Sequence, residues 1–137
     1  FFTFEFPDYI CSTYNDFFLV LADPAPAGSS SGNVVFDSQG NPISVNAAFL
    51  EVCEANDYGG KTFPCDLGTG PLEGTGFENH GATGWLRTTV PATPGDMTTL
   101  RLVIHDSGDG VLDSTALIDN FQWITTSPGA LFTDPVD

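Results

Sequence analysis

Apolar and polar positions alternate along this chain with a period of two, and the helical period of 3.6 is nowhere sustained. Phe2, Phe4 and Phe6 alternate with Thr3 and Glu5, predicting a strand with one apolar face that ends at Pro7. Phe17 to Leu21 (FFLVL) is apolar at every position, as expected of a strand covered on both faces. Shorter or alternating runs predict strands at Asn33 to Phe36, Ile43 to Cys53, Trp85 to Val90 and Leu100 to His105. The last pattern, Ala116 to Thr125, sets Leu117, Asp119, Phe121 and Trp123 on one side and Ile118, Asn120, Gln122 and Ile124 on the other. It places Trp123 in the core and Asp119 as a hydrogen-bonded edge residue. Pro, Gly, Ser and Asn clusters at 23–32, 38–42 and 91–96 break these runs as turns. The span from Glu54 to Thr83 is Gly-rich and irregular, long enough that a compact domain must clamp it or use it. Residues 127–137, with two prolines, read as an extended tail or linker. About seven strands with regular turn signals predict an all-β fold: an antiparallel β-sandwich, jelly-roll-like, with long Gly-rich loops, forming a single domain over 1–126.

Composition narrows the setting. At 137 residues the chain is one domain with enough length for a real core. Three Lys and Arg stand against 18 Asp and Glu, a formal net charge of −15. That field repels phosphate, so nucleic acid is excluded as a partner, as is an anionic membrane surface. No apolar run reaches the length of a membrane span, so membrane insertion is not expected. The chain opens at Phe1 inside a strand pattern without a signal-peptide pattern, as a mature product or a fragment would. Three cysteines allow one disulfide and one leftover thiol. Cys53 and Cys65 bracket the loop EANDYGGKTFP and are the favoured pair, while a bond from Cys11 stays open because connectivity cannot be read from sequence. None of the spacings is a zinc site. An extracellular compartment follows.

The densest chemistry lies between Ile104 and Trp123, IHDSGDGVLDSTALIDNFQW. Asp106, Asp109 and Asp113 crowd among Ser and Gly, where like charges repel unless a cation sits between them. Oxygen donors on a Gly-permissive loop suit Ca²⁺, which accepts six to eight oxygens in flexible geometry. The spacing D-x-x-D-x-x-x-D is not that of an EF-hand. If the first and last strands are neighbours, Glu5, Asn15 and Asp16 converge on the same loop and complete an oxygen-only set. A solvated acidic turn is the plainer reading of the same residues.

Several segments together resemble the bacterial choice-of-anchor L domains. Thr3-Phe4-Glu5-Phe6-Pro7-Asp8-Tyr9, followed by Tyr14-Asn15-Asp16-Phe17-Phe18, is similar to that group's "SxEYPEY…FNDxF" signature. Gln39-Gly40-Asn41-Pro42-Ile43-Ser44-Val45-Asn46 is similar to its "GNPVSVN" element, and Leu100 to Trp123, with GDG…LDS and LIDNFQW, to its last two strands. The order covers most of the chain. The resemblance implies a secreted or surface-displayed bacterial β-domain, joined to varied anchoring or adhesive modules and without established enzymatic activity. Members usually carry more sequence before the Glu-Tyr-Pro signature. Its lack here implies a shortened sandwich or an edge open to a partner's strand.

Catalysis has little support. His105, Asp106 and Ser107 are consecutive, and neighbours in a strand point to opposite faces, so they do not form a triad. The clustered carboxylates lack an acid in an apolar setting, as glycoside hydrolysis would need. Ligand binding, a carbohydrate among the candidates, is the stronger class: Tyr58, Phe77, His80 and Trp85 lie in or beside the Gly-rich span and offer stacking surfaces. For Trp85 a place in the core is the plainer reading. The expected function is therefore a calcium-stabilised, non-catalytic extracellular domain for adhesion or ligand binding. The rival is a structural subunit that self-associates through an open strand edge into an extracellular fibre.

Overall fold

A computed structural model of the chain describes residues 2–5, 15–44, 49–58, 60–108, 110, 113–126 and 129–136, with backbone alone at 2–5 and 58. The fold is all-β and its strand pairs are antiparallel, as the period-two pattern predicts. The strands are β1 (Phe2–Glu5), β2 (Phe17–Asp23), β3 (Ile43–Ser44), β4 (Asn56–Tyr58), β5 (Lys61–Phe63), β6 (His80–Ala82), β7 (Leu86–Thr89), β8 (Thr99–His105), β9 (Thr115–Ala116) and β10 (Phe132–Pro135). One 3-10 turn, Gly70–Leu72, precedes β6. Two three-stranded sheets have the orders β6-β1-β9 and β3-β2-β8, and two ladders pair β10 with β7 and β4 with β5.

The uniformly apolar FFLVL run becomes the central strand β2, paired to β8 over its whole length from Phe17↔His105 to Asp23↔Thr99. Its other edge meets β3 at Phe17↔Ser44 and Phe18↔Ile43. Val20 and Ala22 of β2 join Ile43, Val34, Val35, Phe49, Leu50 and the two bonded cysteines in the main core. Leu86 of β7, Ala116 of β9 and Leu131 pack on that cluster, so residues from three sheets close one core. A satellite of Val52, Leu72 and Ala82 sits under the Gly-rich span, with Phe77 against it.

Asn33 links the loop after β2 to the sheet. It is buried, its Oδ1 accepts the N–H groups of Val20 and Val35 at 3.2 Å, and its Nδ2 donates to Val35 O at 2.7 Å. The neighbouring Gly32 has φ +83° and its carbonyl accepts Ala22 N–H at 2.9 Å; an added Cβ would stand 3.3 Å from Ala22 O. These local bonds satisfy the backbone of 33–36 without a ladder. The strand expected there is a set of isolated bridges instead, Leu21↔Asn33, Ser30↔Asn33 and Phe36↔Pro42.

The structure corrects four other expectations. The strand predicted over 43–53 is a strand at Ile43–Ser44 and a single bridge at Val52↔Ala82, with 45–48 outside the described residues. The predicted strand from Ala116 onward is confined to Thr115–Ala116. Asn120 takes φ 55°, which breaks an extended ribbon, and Trp123 is 75% exposed rather than in the core. Within the span expected to be a tail, Phe132–Pro135 is β10, paired with β7 from Phe132↔Thr89 to Pro135↔Leu86, with Thr133 buried. Proline is admissible there because a two-stranded ladder leaves an edge that needs no N–H. The span 54–83 is less irregular than its glycines imply, since β4 and β5 pair across Asn56↔Phe63 and Tyr58↔Lys61. The Cys53–Cys65 disulfide closes that hairpin at its base, with Cα atoms 5.2 Å apart. Cys11 lies outside the described residues.

Candidate metal centre

Two antiparallel registers meet at the acidic loop. The β2–β8 pairs obey one register in which Phe17 faces His105. Carrying it one residue past the strand ends sets Asp16 level with Asp106, and one further sets Asn15 level with Ser107. The backbone follows it: Asn15 N–H donates to Ser107 O at 3.2 Å. The β1–β9 pairs, Phe2↔Ala116 and Thr3↔Thr115, obey a second register. Two steps along it, Glu5 stands level with Asp113. The loop from 106 to 114 is thus held at one end against the start of β2 and at the other against β1.

A side-chain bond crosses between the two sheets. Ser114 Oγ donates to Asp16 Oδ2, so the residue before β9 holds the carboxylate before β2. Asp16, Asp106 and Ser114 are half-buried and Asp113 is exposed. A Cβ at Gly110 would lie 3.9 Å from Asp106 Oδ2, so the loop's own backbone folds over that carboxylate. Asn15 Oδ1 is buried and has no hydrogen-bond partner among the described residues. A buried acceptor without a donor costs about 1–3 kcal/mol unless something positive reaches it.

The donor set here is oxygen only: an amide, carboxylates, a hydroxyl and main-chain carbonyls. That chemistry fits Ca²⁺ and is wrong for zinc or copper, which take imidazole or thiolate. Among the described residues no three acidic, His or Cys side chains already close on a common point. Asp109 and the side chain of Glu5 lie outside the described set. Of the six predicted donors, Asn15, Asp16, Asp106 and Asp113 are therefore brought to one end of the fold, and Glu5 by its register position alone. Ser114 and the Ser107 carbonyl were not anticipated. Hydroxyls and carbonyls carry no distinguishing sequence signal, although Ser114 follows Asp113 directly.

Of the expected stacking residues, two are in contact. Phe77 and His80 meet edge-to-face with centroids 5.3 Å apart, yet Phe77 also packs on the satellite core, which leaves less of its ring for a ligand. His80 opens β6 opposite Glu5 in the ladder, and its Nδ1 is buried without a partner among the described side chains. Trp85 is not in the core; it stands 46% exposed before β7, with its carbonyl accepting Val136 N–H at 2.9 Å. Tyr58 ends β4 opposite Lys61, and its side chain is outside the described set. Comparison with protein-family models, with curated proteins and with solved structures yields no match.

Proposed function

We propose that this is a calcium-stabilised, non-catalytic extracellular β-domain that serves adhesion or ligand binding, of the kind the choice-of-anchor L resemblance implies. The observation that carries the reading is the strapping of Asn15 and Asp16 onto the 106–114 loop, with Asn15 Oδ1 buried and without a partner among the described residues. A divalent ion there would satisfy that oxygen and neutralise the level pair Asp16 and Asp106. It would join the beginnings and ends of two sheets, so ion binding and folding would be linked. The disulfide is compatible with an oxidising compartment. Trp85, exposed at 46%, is the remaining anchor for a glycan or another surface ligand.

Isothermal titration with CaCl₂ after chelation tests the ion. One site that weakens at least tenfold in Asp16→Asn and in Asp109→Ala is the expected result. Identical heats for buffer and chelated protein would remove the reading. The fibre-subunit alternative draws on the exposure of Ile118, Phe121, Trp123 and Ile124 just past β9. Electron microscopy of the purified chain with calcium discriminates: filaments favour the subunit, and their absence favours the binding domain.

A further inference from the structure

β8 is an edge strand without the usual defences. β2 pairs with one of its sides over all seven residues, and no other strand among the described residues pairs with the other. Natural edges are blunted by charges, prolines or bulges. Here the edge reads TLRLVIH, regular and proline-free, with Leu100, Leu102 and Ile104 exposed at 39%, 54% and 50%. It also holds Arg101, one of three Lys and Arg in the chain, and no acidic residue, although the molecule has 18 of them. Among the described strands β8 is the longest acid-free edge, and there two copies of a strongly acidic molecule can approach with little repulsion.

We propose that β8 pairs antiparallel with β8 of a second copy about a two-fold axis at Leu102. Alternate side chains share a face, so in such a pair even positions must face even positions. An axis at Arg101 would set two guanidinium groups opposite each other. One at Val103 would set Arg101 opposite His105. At Leu102 the pairs become Leu102 with Leu102 and Leu100 with Ile104 on one face, and Arg101 with Val103 and Thr99 with His105 on the other. This register gives an unbroken apolar stripe of six side chains and keeps the cations apart. Two three-stranded sheets become one of six strands, and the two-fold contact closes on itself without growing. The interface falls at the small end of specific ones, so the dimer is a weak one, strengthened by salt that screens the two net charges.

Sedimentation velocity on the whole chain in excess calcium tests this over micromolar to millimolar concentration. A monomer–dimer equilibrium is expected, with Leu102→Lys weakening it at least tenfold and Met97→Lys, 87% exposed outside the strand, leaving it intact. Far-ultraviolet circular dichroism checks that each variant folds. Hydrogen exchange should show β8 amides that gain protection only as concentration rises. A monomer throughout, a dimer indifferent to Leu102→Lys, or open-ended growth would each overturn the proposal. So would protection, already at low concentration, of the β8 amides turned away from β2, the mark of residues 117–124 covering the edge within one molecule.

Discussion

Asn33 fastens a loop to a strand through three buried hydrogen bonds. Its amide answers two main-chain N–H groups and one carbonyl inside the core, joining β2 to a loop that has no ladder of its own. Asn33→Ala strands both donors in an apolar setting, and a loss of about 3 kcal/mol is expected by urea unfolding. Asn33→Asp keeps the acceptor and loses the donor, so it should be less damaging at acidic pH than at neutral pH. Glu78 gives a gentler residue-scale test. Its own N–H and that of Gly76, then those of Gly74 and Thr75, hold its carboxyl below the ordinary glutamate range. A depressed folded value means that the carboxylate's contribution is whole above the unfolded range and fades as pH falls through the folded one. The protection factor of the Gly76 amide, its rate referred to the intrinsic rate at each pH, should therefore fall on acidification below the usual glutamate range, and Glu78→Gln should abolish that dependence.

At the scale of elements, the uniformly apolar run located β2 and alternation located β7 and β8 closely, while alternation misplaced the segment after Ala116. Alternation records which face would be apolar, whereas a strand needs a neighbour to bond. β8 finds β2, but the described β1 begins at Phe2, opposite Ala116, and the turn at Asn120 bends the rest away. The opposite error at β10 has the opposite cause: Pro128 and Pro135 read as linker signals, while Thr133, Asp134 and their partners Thr88 and Arg87 make a short ladder. The Thr hydroxyls meet at 3.0 Å and Arg87 reaches Asp134 at 2.7 Å. That ion pair is exposed and adds little; the ladder and the Leu131 contact hold the strand. The disulfide was legible because it brackets a long loop, though the hairpin inside it was not. Reduction should cost about 2–4 kcal/mol, the worth of a loop closure of this length, and thermal melts with and without reductant measure it.

For the whole molecule, net charge and cation are one question. Fifteen surplus negative charges oppose compaction, and the loop at 106–114 concentrates part of that burden where two sheets meet. If an ion binds there, stability should rise with its concentration. The gain is about 2.7 kcal/mol at a hundredfold excess over the dissociation constant, enough to move the melting temperature by several degrees. Sodium chloride at matched ionic strength should give only part of that gain, since screening is not coordination. The acidic cluster and the N-terminal Asn15-Asp16 pair were readable in the sequence because Asp, Gly and Ser in that density serve few purposes. Their convergence was anticipated only on the condition that the first and last strands are neighbours, for it depends on two ladder registers that no local pattern specifies.

One consequence of the stapled hairpin reaches the bench. Lys61, the only lysine, is exposed just past the β4–β5 turn, between the two bonded cysteines. Endoproteinase Lys-C can therefore nick the polypeptide once and release nothing: both fragments should co-migrate until a thiol is added, then separate at the masses set by that one cut.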